Sequence, residues 1–542
     1  MRDGQLGETE MGWKAESRIG VIAAGGAGAV EAGMLILKAG GNAADAAVAT
    51  LLALMVTDHG DCSFGGEVPL MIYDAARGEV KVLSGMGSAP LSQQAIDWYM
   101  RHGIPEPGNM KIAPVPSVID CCLTALKLYG TRTFGEVVSP TLALLDAGSE
   151  FWHPNMAVTL RKMVQEEGAV SGGREEKIQA ACDLFYGRGG KPSSIADDLE
   201  AFYIEQGGFL RKADLAAHFT RIEDPVFVNY RGYTVCKCGP WTQGPYLCQA
   251  LRLLEGYDLK SMGHLSQDTI HVVVEAIKLA MADRDEYYGD PNFVEVPLAA
   301  LLSDEYTRIR RPLIDSRRAS LLVRPGDPYT MKPLKEPGPP QPVVGGTTTC
   351  VVADRWGNVV AATPSANVLK GRHAAGRAGV TFGNRLRSFN TTAGHPNCIQ
   401  AGKRPRITLT PTLVLKDSRP VLAISVAGGD LQDQVTLQLL LDFIDYGLTP
   451  ERGVIAPRFA THHHQDSFDP NPERAQTFLG AGSLVLNESI AANVRQDLSQ
   501  RGHILETVSG TIGTPVMIHI DQETGLLHAA GDPAANRHAA GL

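Results

Sequence analysis

The chain has 542 residues, 44% of them hydrophobic and 20% charged, with a formal net charge of −9. That length and balance predict a soluble protein of several domains or one large sandwich with a sizeable core, and the acidic surplus argues against nucleic acid as a partner. Nine cysteines, an odd number without framework spacing, predict reduced thiols in a reducing compartment.

The opening stretch MRDGQLGETEMGWKAESRIG has no apolar segment of the signal-peptide type. The longest apolar run, AADAAVATLLALMV, carries Asp45 and is shorter than the roughly 20 residues that a bilayer span needs. A cytoplasmic protein without membrane contact is the expectation. Residues 25–54 show small residues and leucines at spacings of three and four, broken at Gly40-Gly41, and predict two packed helices. A glycine turn, SFGG, then leads into a β-hairpin with alternating apolar positions.

Helical patterning dominates residues 117–217, with Cys121-Cys122 as core. Cys236 and Cys238 form C-x-C without a second pair, which speaks against structural zinc, whose sites want four ligands. TIHVVVEAIKLAMADRDEYYG predicts an apolar helix with Asp268 as its N-cap. A proline-rich run at residues 325–346 marks the break. Beyond it TTTCVVA, GNVVAAT, TLTPTLVL, VLAISVA, MIHID and LLHAAGD predict strands, with a helix at LQDQVTLQLLLDFIDYG. No internal repeat is present.

The break ends in Gly345-Gly346 and three threonines. Thr347 to Thr349 read as strand-start residues of good β propensity. A sharper reading uses chemistry. A threonine hydroxyl becomes a nucleophile when a base takes its proton, and its own α-amine can serve once the preceding peptide bond is cut. Such a residue belongs behind a loose segment and at the head of a buried strand. Two glycines without Cβ let the scissile bond strain, and the proline-rich run can swing away.

The chain resembles the γ-glutamyltransferase (γ-glutamyltranspeptidase) family of N-terminal nucleophile hydrolases. The resemblance is carried by EAGMLILKAGGNAADAAVATLLAL, SFGG, VPSVIDCCLTALKLYG, YRGYTV, EAIKLAMADRDEYYGDPNFVEVP, GHPNCIQAGKRP and VAGGD. It implies an α+β fold, a four-layer αββα sandwich. It also implies one precursor cut into a large subunit, 1–346 with 325–346 as processing linker, and a small subunit, 347–542. By that resemblance Thr347 is the nucleophile, seven residues before Asp354 of the turn ADRWGN. Ser365 is the second hydroxyl, Asn367 the nearby amide, and Gly428-Gly429 the backbone donors for the oxyanion. No cofactor or metal is implied. His462 to His464 follow APRF at a loop, and Cys350 reads as core rather than as a rival nucleophile.

Three motifs depart from the family. Met86 in SGMGSAP stands where the family's carboxylate-binding arginine would be. Arg385 and Ser388 in NRLRSF replace the groups that hold the α-amine. Ile407 and Thr408 in KRPRITL replace paired serines. A cationic amine beside Arg385 without a carboxylate would be repelled. Arg385 and Arg387 either bind an acid group or are solvated surface residues. Arg385, Ser388, Thr408 and Asn367 are thus the candidate substrate-binding residues.

The leading expectation is a self-processed hydrolase of small, acidic acyl amides through an acyl-threonine. It resembles the amide hydrolase and acylase branches of the family, and transfer to an acceptor amine remains open. A γ-glutamyltransferase or glutathione hydrolase with a rebuilt pocket is the alternative. The third expectation is an uncleaved binding protein, suggested by the unusual glycine turn GGEVPL and the lost pocket residues. The partners expected are the amide substrate and the two subunits of one chain, with a homo-oligomer of the cleaved heterodimer left open.

Overall fold

The computed structural model describes residues 11–190, 192–335, 347–366 and 376–542. Two seven-stranded sheets lie face to face, each covered by helices on its outer side, so the four-layer αββα sandwich expected from the sequence is the fold. The first sheet runs in the order His538–Gly541, Gly20–Ala24, Cys350–Asp354, Val359–Ala362, Leu70–Asp74, Glu79–Leu83 and Ile222–Glu223. The second runs Lys14–Ser17, Leu527–Gly531, Thr514–Ile520, Arg419–Ala427, Thr412–Lys416, Tyr233–Lys237 and Val226–Tyr230. A small third sheet joins Phe459–Ala460, Ser483–Asn487 and Ile504–Val508.

Period-two alternation builds the layers. On the first sheet Val21, Ala23, Val351, Ala353, Val359 and Ala361 face the second sheet, while Ile22, Ala24, Cys350, Val352, Val360 and Ala362 face the helices. On the second sheet Leu413, Ala423, Val516 and Ile518 close the middle, and Val414, Leu422, Ile424 and Met517 meet the outer helices Gly244–Leu254, Gln267–Tyr287 and Gln432–Ile444.

Helices do dominate residues 117–217, as expected, and the hairpin pairs Leu70–Asp74 with Glu79–Leu83. The division into an early helical and a late strand-rich part is incomplete. Both sheets combine strands from both sides of residue 347: Gly20–Ala24 pairs with Cys350–Asp354, and Tyr233–Lys237 with Thr412–Lys416. The two stretches therefore share one core. The helix expected to start under Asp268 is capped by Ser266, whose Oγ accepts the Thr269 N–H (3.2 Å), and Asp268 instead meets Arg501 at 2.6 Å. No helix among the described residues is long and apolar enough to cross a membrane. Cys121, Cys122 and Cys350 are fully buried in the helix-facing core, and Cys236 and Cys238 are buried between the sheets.

Candidate active site

Thr347 opens the three-residue lead into the central strand Cys350–Asp354 and is 5% exposed. Its neighbours pin that lead in place. Thr348 N donates to the Pro364 carbonyl (3.1 Å), Thr348 Oγ1 donates to Asp58 Oδ2 (2.8 Å), and the Thr349 carbonyl accepts the Gly25 N–H (3.3 Å). Gly25 needs to lack a side chain here, since a Cβ would sit 2.0 Å from Asp58 Oδ2. At the other end of the strand, Asp354 accepts Trp356 N and Asn358 N in a tight turn and also Ala43 N, the first N–H of the helix Ala43–Thr57, which Asn42 caps. Gly357 in that turn has φ +87°, which favours glycine.

The Thr347 hydroxyl lies 3.4 Å from Ser365 Oγ, so the structure brings together the two hydroxyls expected from the sequence. Asn367, the third member, lies outside the described residues, as do residues 336–346 of the linker and with them Gly346. Ser365 is held from the far side. Its backbone exchanges two hydrogen bonds of 2.9 Å with Glu67. Its Oγ accepts a 2.8 Å bond from Arg385 Nη2, and Arg385 Nε donates to Glu67 Oε1 at 2.6 Å. Both charged side chains are fully buried.

Arg385 is therefore not a solvated surface residue, and it does not stand without a carboxylate. The acid comes from the glycine turn GGEVPL, which the sequence left unexplained. Burial pushes the Glu67 carboxyl up, and Arg385 opposes that shift without cancelling it. Arg387 is partly exposed and 3.6 Å from Glu106.

Gly428 and Gly429 end the strand Arg419–Ala427 with φ +142° and +61°. Gln432, which sequence reasoning missed, stands between them and the nucleophile. In the orientation that satisfies both ends of its carboxamide, its nitrogen donates to the carbonyls of Thr408 (3.1 Å) and Val426 (3.2 Å). Its oxygen accepts the Gly429 N–H at 3.2 Å. That same end lies 3.4 Å from Thr347 Oγ1. A carbonyl oxygen thus already occupies the space beside both the nucleophile and a backbone donor.

Below this loop Asp430 is bound by Arg284 and by Ser467, whose Oγ donates at 2.5 Å and N at 3.2 Å. Burial alone would raise the Asp430 carboxyl, but Arg284, His464 and Arg406 outweigh it and hold it far below the usual carboxylate range. Ser467 Oγ also accepts from Arg406 Nη1 at 2.7 Å. Arg406 differs from the other buried arginines among the described residues: those each form a direct ion pair, from Arg188 with Asp120 to Arg537 with Asp58, whereas Arg406 reaches Asp430 through Ser467 Oγ. Burial, aided by Arg284, brings its pKa down to about 10. Phe468 follows, its ring 5.1 Å below the Arg385 guanidinium and against the Gly429 position. Asp466, next to Ser467, is pushed up to about 7 by burial and by Asp430.

The remaining candidates are not drawn into contact with Thr347. Ser388 and Thr408 are buried, and neither hydroxyl has a partner among the described residues; Thr408 reaches the site only through its carbonyl on Gln432. Met86 and Ile407 fill the core between the sheets, so an apolar contact occupies the place where the family's arginine was expected. His463 and His464 are tied to the carbonyls of Leu322 and Gln465.

A sandwich of two sheets between helices, with a hydroxyl residue at the head of a central strand and a double glycine beside it, is an N-terminal nucleophile hydrolase architecture. The family model described as Gamma-glutamyltranspeptidase matches residues 29–167 and 143–542, and the chain belongs to that family. It is 28% identical to the Glutathione hydrolase proenzyme of Bacillus subtilis (strain 168) over 560 residues, 96% of this chain and 91% of the relative. It is 29% identical to the Acylase ACY 1 proenzyme of Pseudomonas sp. (strain SE83), over 87% of this chain and 84% of the relative. The solved structure of LmbA2991HD superimposes with a TM-score of 0.86 at 30% identity, covering 98% of this chain and 99% of that one.

Proposed function

We propose that the chain is a proenzyme that cuts itself between Gly346 and Thr347 and then hydrolyses small acyl amides through Thr347. The observation that carries this is the Thr347 hydroxyl at the head of a central strand, 3.4 Å from Ser365 Oγ and 3.4 Å from the Gln432 carboxamide. The names of the two proenzyme relatives support processing, and the acylase name supports an amide substrate.

In the first step Thr347 Oγ attacks the amide carbonyl carbon and its α-amine takes the hydroxyl proton. The carbonyl oxygen becomes an oxyanion and displaces the Gln432 oxygen from the Gly429 N–H, a donor fixed before charge develops and worth about 3 kcal/mol. Collapse breaks the C–N bond, and the amine leaves with the proton. Water then attacks the acyl-threonine, giving the free acid and restoring Thr347.

The acyl group is an acidic one on this reading, and Arg406 is its receptor rather than Arg385. Arg385 already has Glu67 in direct contact, whereas Arg406 feels Asp285 and Asp430 without a direct ion pair, and a buried arginine so placed is costly unless an anion completes it.

A γ-glutamyl substrate is the second reading, because Glu67 removes the repulsion that Arg385 alone would offer an ammonium group. The binding-protein expectation loses one of its two motives, since the unusual turn supplies the counter-ion of Arg385. Glutaryl-4-nitroanilide and γ-glutamyl-4-nitroanilide, given to the self-cleaved protein, separate the first two. Release of nitroaniline from the first alone supports the acidic acyl reading; release from the second alone overturns it.

A further inference from the structure

We infer that Glu67 and Arg385 are positioning residues that set the direction of the Ser365 hydroxyl toward the nucleophile; this rests on Thr347 being that nucleophile. The two residues come from opposite sides of the Gly346-Thr347 bond, and each departs from the family pattern at its own motif. The structure brings them to 2.6 Å inside a fully buried site.

The argument is one of donors and acceptors. A guanidinium can only donate. Arg385 Nη2, at 2.8 Å, therefore takes a lone pair of Ser365 Oγ and never its proton. A cation on that lone pair polarises the Ser365 O–H and strengthens it as a donor. Thr347 Oγ1 donates to the same oxygen across 3.4 Å. As Thr347 Oγ gives its proton to the α-amine and gathers negative charge, the Ser365 hydroxyl turns to donate to it, without transferring its own proton.

Glu67 keeps the guanidinium in place. It binds Nε through Oε1, and its backbone is locked to the Ser365 backbone by two bonds. Serine, arginine and glutamate thus form one rigid unit, and the ring of Phe468 closes the guanidinium face. A neutral side chain at position 385 would remove the cationic donor from the Ser365 oxygen.

The test uses the full chain, with the rate of its own cleavage read by intact mass and kcat and KM read on the anilide that the cleaved protein turns over. Glu67→Gln and Arg385→Gln each leave one charge buried and unpaired and lower stability. The double variant E67Q/R385Q removes both charges and restores the melting temperature. In it, self-cleavage and kcat stay about 10- to 100-fold down, the range lost when an outer hydrogen-bond partner is removed at metal-ligand sites, while KM holds. Arg385→Lys, which keeps a cationic donor, recovers part of the rate.

Recovery of rate together with stability in the double variant would overturn the inference and leave the pair a structural one. A raised KM with kcat intact would also overturn it, making the pair a substrate contact. Thr347→Ala separates the underlying reading: if the wild type stays uncut, or Thr347→Ala still cuts, it is the nucleophile assignment that fails.

Discussion

Glu67 and Ser365 face each other across an isolated antiparallel bridge, each N–H donating to the other's carbonyl at 2.9 Å. The bridge puts a carboxylate beside the serine and leaves room for one cation, Arg385, to touch both. Removing one charge of such a pair is far worse than removing both. Glu67→Gln alone is expected to lower stability by about 3–5 kcal/mol, and E67Q/R385Q to return close to the wild type. Urea unfolding of the three proteins checks this.

Self-cleavage should follow Thr347. Purified wild type is expected to give fragments of 346 and 196 residues, the second being 542 − 346, and Thr347→Ala a single 58.0 kDa chain. Because both sheets combine strands from both sides of the cut, the fragments should co-elute in native buffer and part only in denaturant. Intact mass beside size-exclusion chromatography reads both.

The double glycine makes two separable demands. At Gly428, φ +142° excludes any side chain without strain of about 1–3 kcal/mol. At Gly429, φ +61° is milder, but a Cβ would meet Phe468 Cε2 at 3.3 Å. Gly429→Ala is therefore expected to keep the fold while its N–H shifts, lowering kcat about 100-fold. Gly428→Ala should lose stability as well. Melting curves and kcat on the same samples distinguish the two.

Arg406→Met should leave self-cleavage intact and raise KM for glutaryl-4-nitroanilide about 10-fold or more, as loss of a charge-assisted contact does. A neutral acyl anilide should gain relative to the acidic one. An unchanged preference would remove Arg406 from the acyl pocket.

Two acids should shape stability against pH in opposite directions. Asp290, bound by Arg404, is held at about 2, because Arg404 outweighs burial. Its folded pKa is depressed, so its contribution, about 2 kcal/mol, is present above pH ~4 and lost as pH falls from ~4 to about 2. Asp466 is raised to about 7. The folded state there keeps a proton that the unfolded chain releases near pH 4, so stability falls as pH rises from ~4 to about 7. Asp466→Asn should be more stable than wild type at pH 8 and lose that advantage by pH 4. Asp290→Asn should flatten the acid limb. Denaturant unfolding at pH 3, 5 and 8 shows both signs.

The sequence alone determined the features that depend on near neighbours. Period-two and period-three-to-four patterning placed the hairpin at Leu70–Leu83 and the helices of residues 117–217, because alternation and helical spacing are local geometry. The family resemblance paired Thr347 with Ser365, and the structure sets their hydroxyls 3.4 Å apart. Asp268 misled because its neighbour Ser266 offers the shorter reach to the first turn, and a distant arginine claims the aspartate.

Tertiary structure alone decided the charges. The sequence left Arg385 open between an acid-binding and a surface residue, and offered Glu67 only as part of an unusual glycine turn, since 318 residues separate them. Whether a buried charge is tolerable depends on what the fold sets against it. For Arg385 that is Glu67 in direct contact; for Arg406 it is Asp430 reached through Ser467 Oγ. Such pairing is a property of packing in low dielectric, and no local pattern records it.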